Sequence, residues 1–209
     1  MPLVHSEKIE ETTTLLLWKL TETVEELREN LGGDYNAEEF SKITHPQKIR
    51  EWLASRLLVK TLSEQFGITY KGTHKDEHGK AFLINNESHI SITHTFEYVA
   101  VVMNPYDAVG IDMEKMDAKL QRTSKKYLSV TEHAHAADQL APLCMYWCAK
   151  EAIYKQYGRK KVSFRDSIFI DPFETESLLL AGTLIDNGFV VNSNVYVRWF
   201  DDHCLAIAL

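Results

Sequence analysis

Residues 147–155 read WCAKEAIYK, and residues 52–60 read WLASRLLVK. The two stretches share Trp, Ala and Lys at the same three offsets. Each sits in a helical pattern that runs to a glycine, Gly67 or Gly158, and each is followed later by an apolar hairpin, ISITHTFEYVAVVM (90–103) or YVRWFDDHCLAIAL (196–209). Gly just past a periodic run is a helix stop. The repeated order of elements predicts an α+β fold in which two similar α/β halves, 1–105 and 106–209, pack as an intramolecular pseudo-dimer. A ligand between equivalent halves is then the default location.

Working outward, PQKIREWLASRLLVKTLSEQFG (46–67) is predicted as an amphipathic helix, with Ile49, Trp52, Leu53, Arg56, Leu57 and Lys60 in helical spacing. TLLLWKL (14–20) has strand character, and TVEELREN (23–30) predicts a short helix closed by Gly32-Gly33. HKDEHGKAFLIN (74–85) reads as a turn into a strand, and HISITHTFEYVAVVM (89–103) as strand, tight connection, strand. AVGIDMEKM (108–116) is a strand, SKKYLSVTEHAHAADQ (124–139) a helix–loop–helix region, LCMYWCAKEAIYKQYG (143–158) a helix, and the rest strands.

The chain has 209 residues, 44% hydrophobic and 25% charged, within the range of soluble globular proteins. A net charge of −7 gives no support to a nucleic-acid partner. The early apolar run 15–18 is far too short to span a membrane, and MPLVHSEKIEE has no secretory pattern. Three cysteines, Cys144, Cys148 and Cys204, lack the spacing of a disulfide framework or a CxxC metal site and read as half-buried thiols. A reducing, cytoplasmic setting is the expectation. HKDEH (74–78) and HAH (133–135) lack a third ligand for a transition metal.

The chemistry concentrates in the second half. Asp112 and Glu114 of GIDMEK stand two apart, so a strand presents both carboxylates on one face and Ile111 and Met113 on the other. Like charges this close need compensation, and a hard divalent cation supplies it; an exposed acidic edge strand is the plainer alternative. Glu151 is a candidate third carboxylate, with an i,i+4 pair to Lys155 as its plainer reading.

GIDMEKMD (110–117) followed by WCAKEAIYK resembles the paired signature of the 4′-phosphopantetheinyl transferases. The intervening KKYLSVTEH (125–133), the upstream ISITHT (90–95), KIREWLASR (48–56) and GKAFL (79–83) are similar to further family segments. Chain length and two-half organisation match the monomeric surfactin-synthetase-activating, or Sfp-type, branch. The resemblance implies a Mg²⁺-dependent transfer of the phosphopantetheine arm of coenzyme A to a serine of an apo carrier protein. It implies Asp112, Glu114 and Glu151 as metal ligands, Glu151 as base, and Lys155 as partner of the departing nucleotide. It further implies coenzyme contacts from His94 and Thr93 (in place of the usual Ser), Lys80, Lys150 and Arg50, with Arg56 the competitor for Arg50. QRTSKK (121–126) and GRKK (158–161) would face an acidic carrier. Another Mg²⁺-dependent phosphodiesterase and a non-catalytic coenzyme A binder are the alternatives.

Overall fold

A computed structural model describes residues 3–33 and 35–209. The chain forms two compact units, Met1–Ala108 and Val109–Leu209.

The first unit starts with strands β1 (Leu3–Glu10) and β2 (Thr13–Lys19). β1 alternates half-buried and exposed residues, the pattern of a strand with one wet face. It is a strand that the sequence reading did not assign. Helix α1 (Val24–Leu31) follows, opened by a capping box between Thr23 and Glu26 that satisfies two free backbone N–H groups. A short helix, α2 (Ala37–Ser41), leads to α3 (Pro46–Gln65). Pro46 at the first position loses no hydrogen bond there. The expected amphipathic pattern gives way to near all-round burial: Ser55 and Arg56 are buried along with Leu53, Leu57 and Leu58. Strands β3 (Thr73–Lys75), β4 (Ala81–Leu83), β5 (His89–His94) and β6 (Tyr98–Asn104) complete an antiparallel sheet in the order β1-β2-β6-β5-β4-β3. β6, flanked by β2 and β5, is buried along its length.

The second unit opens with β7 (Gly110–Lys115), then α4 (Lys119–Thr123), α5 (Val130–Ala136), α6 (Leu140–Tyr157) and α7 (Phe164–Ser167). Strands β8 (Ile168–Ile170), β9 (Leu179–Asp186), β10 (Phe189–Phe200) and β11 (His203–Ala208) follow. The antiparallel sheet order is β7-β11-β10-β9-β8. Gly158 ends α6 in the left-handed conformation at φ 73°, which an L side chain rarely adopts, and its N–H closes on Tyr154 O.

The two topologies repeat. Setting β1 aside, each unit runs strand, main helix, four strands, and in each the first strand pairs with the last: β2-β6-β5-β4-β3 against β7-β11-β10-β9-β8. α3 occupies the place in the first unit that α6 occupies in the second. Leu16 and Trp18 of β2 join Leu53, Leu57 and Leu58 of α3 in one apolar core. The corresponding seam of the second unit is built differently.

Candidate active site

Among the described strands β7 lies at the edge of its sheet, paired with β11 through a register that sets Asp112 opposite Ala206 and Glu114 opposite Cys204. α6 crosses this strand closely. A methyl group on Gly110 would overlap the Ala152 carbonyl oxygen and the Gln156 amide nitrogen, so only glycine admits the helix at this point. Gly110, Asp112 and Glu114 share one strand face. The glycine of the GIDxE pattern is therefore a packing requirement, and the two acids beyond it are aimed along the same helix.

On that helix, Lys155 turns its ammonium to Asp112, Nζ to Oδ1 at 2.7 Å, and donates to Ile111 O at 3.0 Å. Lys155 thus closes on the strand carboxylate, in place of the i,i+4 closure on Glu151 that the helix alone suggests. Glu114 accepts from Lys119 of α4 at 2.9 Å. Glu151 has a different environment. Burial, then the negative charges of Asp112 and Glu114, push its carboxyl up to about 7, with Lys155 opposing. Glu114 and Glu151 share the wall of a cavity of about 600 Å³, with Lys119 and Lys126 supplying positive charge and Trp147 and Phe164 an aromatic lining.

The donor set fits a hard dication. Three carboxylates act on one another there: burial first, and then the charges of Asp112 and Glu114, disfavour the ionised form of Glu151, and a cation would relieve both. The oxygens do not form a closed cage, because Asp112 and Glu114 are turned to lysines. Mg²⁺ does not require one, since it is usually held by one or two carboxylates with water and substrate phosphate.

Lys150 corrects the sequence reading. Expected among the phosphate ligands, it is fully buried, and its three N–H donors go to Glu132 Oε2 at 2.7 Å, Tyr127 O at 2.9 Å and Phe164 O at 2.9 Å. Burial pushes its pKa down and the Glu132 carboxylate opposes this. No donor is left for a phosphate. Glu132 belongs to a capping box with Ser129, and it also accepts from the Ile170 amide at 2.9 Å. The S-x-x-E segment therefore starts α5 and anchors α6 and β8 to one carboxylate. The sequence shows this segment, KKYLSVTEH, only as similar to a family stretch and gives Glu132 no role; the capping-box pattern Ser129…Glu132 is the signal for it.

The first unit gathers a second polar network at the start of α3. Gln47 Nε2 donates to Glu51 Oε1 at 3.2 Å and to Phe96 O at 2.8 Å, and Arg50 donates to Gln47 Oε1 at 3.2 Å. Glu51, buried, pairs with Lys48 at 2.7 Å and with His94 Nδ1 at 3.3 Å. The structure thus brings Arg50 and His94 into one network around a buried acid that the sequence did not flag. Arg50 also holds Leu20 O and Glu22 O, which fixes the turn after β2. Arg56 is buried over Trp52, with the ring 4.5 Å away, and paired to Glu39 at 3.2 Å. On β5, Thr93 turns inward and is buried while His94 is 44% exposed at the side chain, so only the histidine of that pair is presented. Lys80 is half-buried at the mouth of β4, and burial lowers its pKa.

Residues 108–208 match the family model of the 4′-phosphopantetheinyl transferase superfamily. The C-terminal half of this chain belongs to that superfamily. The matched range is the second unit almost to the residue. No curated protein matches the chain. Membership in the phosphopantetheinyl transferase superfamily supports a phosphopantetheinyl transfer function in general terms. Among the described residues, no helix is long and apolar enough to cross a membrane.

Proposed function

We propose that the chain moves the 4′-phosphopantetheine moiety of coenzyme A to a serine hydroxyl of an apo acyl or peptidyl carrier protein, releasing adenosine 3′,5′-bisphosphate. The observation that carries this reading is Glu151, a carboxyl held near neutrality beside Asp112, Glu114 and the cationic Lys155. A carboxyl raised in this way by burial and neighbouring acids marks a site that takes a proton or a cation, and its oxygen can serve as a base towards a nearby hydroxyl. In the proposed reaction the serine oxygen forms a bond to the β-phosphorus as the bond to the α-phosphate oxygen breaks. The serine proton passes to Glu151, directly or through a water, and then to solvent. Lys155, drawn from Asp112, stabilises the oxygen on which the leaving nucleotide departs. Mg²⁺ held by Asp112, Glu114 and Glu151 would supply neutralisation of pyrophosphate charge.

His94 and Lys80 are the proposed contacts to the nucleotide phosphates. Arg50 keeps two of its five donors outside the contacts described above and joins them in a supporting role. Lys119 and Lys126, on the rim of the cavity, suit an acidic carrier segment by charge steering. We extend the reading to the Sfp-type branch, in which two such halves form a pseudo-dimer within one chain; the shared strand order of the two units supports this. The test is incubation with coenzyme A, Mg²⁺ and an apo carrier, read by intact mass. The carrier should gain one phosphopantetheine group on its serine, and the gain should vanish with chelator. Unmodified carriers of every class alongside hydrolysed coenzyme A would instead identify a phosphodiesterase.

A further inference from the structure

Cys144, Cys148 and Cys204 take no part in the reaction above, and all three are fully buried. Cys144 and Cys148 stand one helical turn apart on α6. Cys204 comes from β11, 56 residues beyond Cys148. Despite that separation, the three Sγ atoms lie within 4.8 Å of one another. Among the described residues this is the only set of three or more Cys, His, Asp or Glu side chains whose ligand atoms gather this tightly. Cys144 Sγ donates to Glu114 O and Cys148 Sγ to Cys204 O, each at 3.4 Å, so the sulfurs are fixed in direction by weak hydrogen bonds.

We propose that these three cysteines form a site for a thiophilic, three-coordinate metal ion of the Cu(I) class. The geometry is close to what such an ion needs. Metal–sulfur bonds of about 2.3 Å in a trigonal plane place the sulfurs about 4.0 Å apart, so a contraction of under about 1 Å closes the site. The donor set selects the metal. An all-sulfur set favours soft ions, and carboxylate and water favour Mg²⁺, so this site and the acidic one beside β7 would sort two metals by chemistry. Zn²⁺ is the weaker candidate because it takes four ligands in a closed structural site. Each sulfur that binds as thiolate exchanges its S–H bond for a Cu–S bond and gives its proton to solvent; copper remains Cu(I), and nothing is oxidised.

The test uses the full chain, reduced and without oxygen, free of coenzyme A and carrier. Cu(I) is offered as its coloured bicinchoninate chelate. The chain should withdraw one Cu(I), and X-ray absorption of that complex should show a shell of three sulfurs. Cys204→Ser and Cys148→Ala should each leave the chelate colour intact, with circular dichroism confirming that they are folded. An untouched chelate with the wild-type chain, a shell of oxygen or nitrogen, or unchanged capture by folded variants would overturn the proposal. The wild-type measurement decides the matter even where a variant does not fold. Binding is read without substrate, so the outcome is independent of the transfer assay.

Discussion

Replacing Glu151 by Gln tests the site through its own electrostatics. The folded carboxyl titrates near 7 against an ordinary value of 4.5. Between those two values the folded chain holds a proton that the unfolded chain has lost. Stability is therefore fully present below about 4.5 and falls as pH rises towards 7 and beyond. The interval corresponds to about 3 kcal/mol at most, and partial solvent access trims this to about 2 kcal/mol. Gln keeps the size and carries no charge. In chelator at pH 8, Glu151→Gln should therefore be more stable than wild type by about 2 kcal/mol, an upward shift in Tm of about 4–8 °C for a chain of this length. At pH 4.5 the two should melt together. Saturating Mg²⁺ should reverse the order, because binding at 100 times Kd stabilises only the wild type, by about 2.7 kcal/mol. Transfer should fall by about 10²–10⁴-fold. Scanning calorimetry at the two pH values, with and without Mg²⁺, reads all of this. Equal melting at pH 8 would refute the buried, repelled carboxylate, and an intact Mg²⁺ shift in the variant would refute Glu151 as a ligand.

The remaining expectations rest on contacts already described. Lys150→Met should lower stability by about 3–5 kcal/mol because it leaves Glu132 buried without its cation, and the double variant with Glu132→Gln should recover most of that loss in a denaturant titration. Gly110→Ala should cost about 1–3 kcal/mol or more by forcing β7 from α6, read from the same titration, with transfer lost alongside. His94→Ala should raise the KM for coenzyme A about tenfold or more with kcat within about twofold, the loss of one charged contact; an unchanged KM would remove His94 from the phosphate set.

Much of the fold was legible because local chemistry and burial agree. Gly158 and Gly67 mark helix ends, Thr23 and Glu26 cap α1, and the alternation in GIDMEK gives the face that Asp112 and Glu114 share. β1 and β3 escaped notice because polar, half-wet strands carry little apolar signal. Lys150 was misread because neighbouring charges on a helix look alike in sequence, while the helix packs one of them inward against Glu132. The cysteine cluster was invisible for another reason: its third member arrives from a strand that only tertiary folding brings to α6. Glu51 escaped for the same reason, as its partners His94 and Gln47 meet it through the sheet and the start of α3.

The seam between β2 and α3 has a consequence for how the chain opens. Leu16 and Trp18 fill with hydrocarbon the place where the other repeat carries Asp112 and Glu114. On α3 the buried charges, Glu51 and Arg56, each have an opposite charge beside them, while the β7–α6 seam sets mutually repelling acids against its helix. Local opening follows the weakest packing. In hydrogen exchange without metal, the amides of β2 and α3 should outlast those of β7 and α6. A divalent ion should slow exchange in the second pair alone, so that the chain carries its rigid reference and its responsive element as two editions of the same topology.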